Sequence, residues 1–281
     1  MRRFRKYRRL TLESLERRQL LAVDVVMFND QAGGALKHVN ATTYAGNGVA
    51  SGLLKDIATG ANTDITLTTT ASGATYENTS GIPAAGTPAA NMFNGYVDFS
   101  TGTGSSLAVA GAQTYTHAFS GLDPANRYDF AGTAVRGNTG YTDRWTLVTL
   151  VGAESFTAAH SPGVGIVTAG LAPNQAALWT GENHLAGQGF LAAWTDIDPG
   201  ADGQIQVVSS QYQGPTPGVG SGNSSSGSKG YAIHGLRLVE HDASFRVLAS
   251  SPAAAALVFP APTSVTLDFS EDFLGDLDAL L

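Results

Sequence analysis

Apolar and polar positions alternate most regularly between residues 120 and 151. Tyr128 and Phe130 alternate with Arg127 and Asp129, the period of two expected of a strand with one buried and one wet face. A turn follows at Gly137-Asn138-Thr139-Gly140, after which Trp145, Leu147, Thr149 and Val151 share one face of a second strand. Ahead of both, Leu122, Pro124 and Tyr128 have the Leu-x-Pro-x-x-x-Tyr spacing of a sandwich corner, in which a tyrosine hydroxyl turns back to bond the preceding loop's backbone.

The rest of the body reads the same way. Val23, Val25 and Met27 set against Asp24 predict an edge strand, and residues 64–70, with Ile65 and Leu67 amid threonines, predict another. Residues 97–99 and 113–119 follow. In the latter Tyr115, His117 and Phe119 lie on one face, which makes His117 a core or sheet-face residue. Phe190, Ala192 and Trp194, then Ile205 and Val207, then residues 231–240 with Gly235 as a bulge, bring the set to about eight or nine strands. Residues 33–60, 71–90, 153–187 and 214–230 lack a sustained period and read as turn-rich or loop segments. No helix alternates with the strands. The fold class expected is all-β, a jelly-roll-like two-sheet β-sandwich.

Composition agrees with short strands and many turns: 34 of the 281 residues are glycine. Cysteine is absent, which removes a disulfide scaffold, a thiolate nucleophile and thiolate metal sites. Residues 1–18 carry eight Lys or Arg against two acids, so the remaining chain carries eight bases and 21 acids, a balance of −13. A body that acidic repels phosphate backbones, so no nucleic-acid partner is expected. No apolar run approaches the roughly 20 residues of a membrane-spanning helix, so no transmembrane segment is expected.

The charge division sets the domain boundaries: a basic leader over 1–22, the sandwich over 23–240, and a linker with an incomplete segment over 241–281. Within the leader, Leu15-Glu16-Arg17-Arg18-Gln19-Leu20-Leu21 resembles the LEPR-XLL leader of planctomycete surface and extracellular proteins, with Arg17 where that leader has proline. The resemblance implies export to the cell surface or the extracellular space. The stretches FNGYVDF, AGTAVRGN, YTDRWTLVTLVGA and GSKGYAIHGLRLVE are similar to a module of planctomycete extracellular proteins laid out like galactose-binding-like jelly rolls. That module carries no activity onto particular residues. Ser251-Pro252 and the run from Thr266 to Glu271 resemble the opening two strands of a bacterial Ig-like domain, and too few residues follow to complete the ~80–100 of such a domain. Five acids from Asp268 to Asp278 favour solvation there, so this segment is expected not to fold by itself.

Two constellations carry candidate chemistry. Asp196, Asp198 and Asp202 alternate around a glycine turn, where carboxylates converge on calcium or else cap their own turn backbone; the spacing departs from an EF-hand loop. Tyr141, Asp143 and Arg144 at one turn, with Trp179, Glu182 and His184 further on, are the residue types of sugar sites: aromatic faces for C–H groups, polar groups for hydroxyls. The spacing does not bring the two groups together. Trp145 and Trp194 read as core, and Trp179 as the exposed aromatic. No Gly-x-Ser-x-Gly, His-Glu-x-x-His or phosphate loop is present, so no enzyme is expected. The function expected is a non-catalytic extracellular module that binds a polysaccharide or mediates adhesion to the cell envelope; a spacer without a specific ligand is the alternative, and a glycan hydrolase a minor one.

Overall fold

The computed structural model describes residues 24–31, 49–78, 81–93, 95–99, 105–137, 140–181, 183–184, 188–216, 229–241, 247–251 and 266–269. The leader, Glu182 and two residues of the Gly137–Gly140 turn lie outside the described residues.

Two sheets dominate. The first has five strands in the order β1 (Val25–Asp30), β15 (Gly235–His241), β7 (Arg127–Thr133), β12 (Ala192–Asp198) and β9 (Ser155–Ala158). The second has seven: β10 (Ile166–Val167), β11 (Gln175–Trp179), β8 (Trp145–Val151), β13 (Gln204–Gln211), β6 (Thr114–Ser120), β3 (Asn62–Ser72) and β2 (Val49–Lys55). The neighbours in the second sheet pair antiparallel. A third sheet joins β14 (Gly230–Tyr231), β5 (Ser105–Val109) and β4 (Thr75–Asn78). All belong to one compact unit, Val25–Glu240. Apart from it, β16 (Val247–Ser251) and β17 (Thr266–Phe269) pair antiparallel with each other.

The two large sheets face each other across one apolar core. Phe119 of β6 meets Phe130 of β7 at 6.1 Å between ring centres, which ties the sheets together, and Trp145, Trp194, Ile197 and Ile205 are buried in the same cluster. Tyr115, His117 and Phe119 share the buried face of β6 as the alternation predicts. On β8 the face shared by Trp145, Leu147, Thr149 and Val151 runs from buried at Trp145 through half-buried Leu147 and Thr149 to exposed Val151, while Val148 and Leu150 fill the core. WTLVTLV is apolar in both phases, so its period of two shows which residues share a face but not which face is wet. Successive residues of β1 also point opposite ways. Met27 enters the main core, and Phe28 enters a second cluster, stacked on Tyr96 at 4.4 Å and edge-on to Phe93.

Several segments read as turn or loop hold structure. Residues 33–60 contain β2, 71–90 contain β4 and the start of a helix, and 153–187 contain β9, β10 and β11. The helix, α1 (Pro88–Phe93), begins at Pro88 behind Thr87, whose Oγ1 accepts the Ala90 N–H at 3.3 Å as an N-cap. Residues 97–99 are not a strand; Val97 and Phe99 are buried loop residues of the second cluster. Gly235 is no bulge, since β15 stays in register with β1 through Gly235 opposite Asp30. The register shift in the first sheet falls between Trp194 and Ile197, with Asp196 left-handed at φ 54°.

The corner forms as its spacing predicts. Tyr128 Oη accepts the Asp123 N–H at 2.7 Å and donates to Glu240 Oε1 at 2.9 Å, and Asn126 Nδ2 donates to the same oxygen at 2.8 Å. One hydroxyl therefore fastens the loop before β7 to the end of β15. Burial, then the Glu240 carboxylate, raises the phenol's pKa and keeps it a donor. Gly203 closes the loop's other side at φ 60°, where a Cβ would strike the Leu122 carbonyl.

Tyr128→Phe should lower stability by about 2 kcal/mol, because a buried amide and a carboxylate each lose a partner while the ring's packing stays. Urea denaturation of both proteins checks this; coincident midpoints would remove the corner from the account.

Candidate functional site

Strand pairing brings residues 179–181 against the loop that carries Tyr141, Asp143 and Arg144. β7 runs into the loop that carries Tyr141, and the chain returns through β8, on which β11 packs with Trp179 opposite Trp145. Past Trp179, the Thr180 and Gly181 N–H groups both donate to the Arg144 carbonyl, at 2.8 and 3.0 Å. Arg136 N–H in turn donates to the Thr180 carbonyl at 2.7 Å. Gly181 lies so close to the Tyr141 and Thr142 carbonyls that a Cβ would collide with them. This loop end of the sandwich is the candidate site.

Its surface is a tyrosine among guanidinium groups. Tyr141 is 37% exposed. The guanidinium groups of two half-buried arginines, Arg136 at 4.9 Å and Arg144 at 5.3 Å from its ring centre, flank it, with the Arg144 side chain 11% exposed. Arg144 Nη1 is 2.9 Å from Asp143 Oδ1. Tyr141, Asp143 and Arg144 are thus together, and Arg136 joins them without having been singled out in the sequence. The arrangement offers hydrogen-bond donors in a fixed fork, an aromatic surface and one carboxylate.

Trp179 is not part of that surface. It is 3% exposed, and its indole N–H donates to the Thr142 carbonyl at 2.6 Å, so it supports the loop from below. QAALW shows no alternation because β11 is buried on both faces from Ala176 on. His184 is also interior, at 2% exposure. Its Nδ1 lies 2.9 Å from the Gly81 carbonyl, which can only accept, so Nδ1 carries the proton of the neutral ring. Nε2 is then the acceptor for the Thr133 hydroxyl at 2.9 Å. Asn183, fully buried, donates from Nδ2 to the Ala134 carbonyl at 2.8 Å and the Phe190 carbonyl at 3.2 Å, and its Oδ1 accepts the Phe190 N–H at 2.8 Å. Asn183 and Thr133 lie at a strand end and in a loop without a period, where sequence carries no mark of such a role.

Burial decides the histidine electrostatics. It lowers the pKa of His184 to about 3, with His234 nearby adding to the depression and the Gly81 bond opposing it. It lowers His117 to about 3 as well, and among the described residues neither ring nitrogen of His117 has a hydrogen-bond partner. Both rings are neutral at physiological pH.

The carboxylates of Asp198 and Asp202 are engaged within their own turn and with Arg127. Asp198 Oδ2 is 2.9 Å from Arg127 Nη2 while its Oδ1 accepts the Gly200 N–H, and Asp202 Oδ1 accepts the Gln204 N–H. The Asp196 N–H donates to Asp129 Oδ1 across β7 and β12. Among the described residues no group of three or more His, Asp or Glu side chains is placed to hold a metal ion. Carboxylates that cap their own turn point at backbone amides, not at a common centre.

A family model described as planctomycete extracellular matches residues 7–25, a span that includes Leu15–Leu21. Neither the curated proteins nor the solved structures gave a match. The match identifies an exported, extracellular protein. Among the described residues no helix is long and apolar enough to cross a membrane.

The buried histidines make stability depend on acid. An unfolded imidazole titrates near 6.5 and the folded rings near 3, so between these values the unfolded chain binds protons that the folded chain refuses. Stability should hold above pH 6.5 and fall below it by about 1.4 kcal/mol per pH unit for each ring. His117→Phe should raise the stability at neutral pH by about 1–3 kcal/mol, read as a higher urea midpoint, and flatten the acid slope. A variant that is less stable, with an unchanged slope, would contradict this reading of His117.

Proposed function

We propose that this exported β-sandwich is a non-catalytic module that binds glycan at its loop end, and that the glycan carries acidic groups. The observation behind this reading is the exposed Tyr141 ring flanked by the guanidinium groups of Arg136 and Arg144. Guanidinium forks match carboxylates and sulfates with paired hydrogen bonds, and an aromatic ring packs against sugar C–H groups. In a sandwich whose residues 23–240 carry seven Lys or Arg against 15 acids, a balance of −8, two arginines gathered at one end favour an anionic chain there. The nearby titratable groups support binding without reaction. Asp143 is paired with Arg144, and His184 is sealed and held neutral, so neither is poised to pass a proton to a bound sugar.

An array of acidic and neutral polysaccharides probed with the full chain tests the proposal. Uronate-rich or sulfated glycans should bind, with affinity falling as salt rises. Tyr141→Ala and Arg144→Gln should each weaken binding by about tenfold, or about 1.4 kcal/mol. Undiminished binding in both variants would move the site elsewhere, and no binding at all would favour a spacer role.

A further inference from the structure

Among the described residues β9 is an outer strand of the five-stranded sheet and β10 an outer strand of the seven-stranded one. The 20-residue stretch from Phe156 to Gln175, which runs from β9 to the start of β11 and contains β10, lines a shallow, open cleft of about 530 Å³. This volume falls within the ~300–1,000 Å³ usual for small-molecule sites.

The lining is mixed but uncharged. Phe156, Ile166 and Leu171 give apolar surface continuous with the core. Ser161 and Thr168 give polar groups, the His160 Nε2 is buried, and no Asp, Glu, Lys or Arg is present. His160 adds no charge at neutral pH, because burial lowers its pKa. Two of the polar groups are fixed in place: His160 Nδ1 accepts the Ala193 N–H at 3.0 Å with its ring edge-on to Trp194, and Ser161 Oγ accepts the Leu191 N–H at 2.8 Å. Having accepted, the Ser161 hydroxyl keeps its hydrogen to donate.

An ionic ligand would find no opposite charge in this cleft, and a purely apolar one would strip water from Ser161 and Thr168 without replacing it. A sugar ring meets both conditions, with C–H faces for the apolar wall and neutral hydroxyls for the donors. We propose that this cleft is a second binding site, taking an uncharged saccharide unit, distinct from the loop-end surface and independent of that reading.

Titration calorimetry of the full chain with neutral di- and trisaccharides tests it, with tryptophan fluorescence as a second readout because Trp194 lies 4.9 Å from the His160 ring. A neutral saccharide should bind and shift the emission. Ser161→Ala should weaken it by about tenfold, and Ala172→Trp, placed at an exposed lining position, should abolish it while leaving the fold's circular dichroism intact. Thr168→Ala, also at an exposed lining position, guards against misfolding of the other variants and should weaken binding too. Tyr141→Ala should leave it unchanged. The proposal is overturned if no neutral saccharide binds, if binding survives Ala172→Trp, or if Tyr141→Ala removes it.

Discussion

A backbone carbonyl or amide sealed away from water must find its partner inside the protein, and the loop end of this sandwich is organised by that demand. Asn183 meets it most fully. Its amide bonds to the Ala134 and Phe190 carbonyls and the Phe190 N–H, so one side chain carries the join between β7 and β12 past the last paired residues, Gly132 and Ala192. His184 adds Gly81 to the same knot, and Thr133 closes it. Above this layer the Arg144 carbonyl takes both the Thr180 and Gly181 amides, which sets the height at which Tyr141 emerges. An exposed ring held by such a base has less freedom to lose when a ligand arrives.

Electrostatics give the two proposed sites different partners. The body is acidic, yet two guanidinium groups gather at the loop end, while the cleft between the sheet edges has no formal charge on its walls. The loop-end surface would suit an anionic chain, whose hold would weaken with salt. The cleft is smaller and mixed in polarity, suited to a neutral unit. For an extracellular module the two would allow one polymer or two to be held by a single rigid scaffold.

The parts of the fold that were legible in the sequence are those fixed by local chemistry. The Leu122, Pro124 and Tyr128 spacing predicted the hydroxyl's return to the Asp123 amide, and the sharp alternation of Tyr115, His117 and Phe119 predicted the buried face of β6. Where both phases of a strand are apolar, as in Trp145–Val151, only the opposing sheet decides which face is wet. Trp179 looked exposed because QAALW has no period, and it has none because both faces are covered. The tyrosine and arginine at the loop end were visible as residue types, but their meeting with residues 180–181 depends on the pairing of β11 with β8, which no spacing encodes. Asp196, Asp198 and Asp202 gave a metal-like rhythm that turn capping produces as well.

The central claim is that the loop end, not the sheet faces or edges, holds an acidic glycan. Hydrogen exchange on the full chain, with and without a saturating acidic oligosaccharide, tests it most directly. The account predicts slowed exchange at residues 140–144 and 180–181, where the backbone beneath Tyr141 and Arg144 is shared between two segments. Unchanged exchange there, or protection confined to residues 156–175 or to the strands of the seven-stranded sheet, would contradict it.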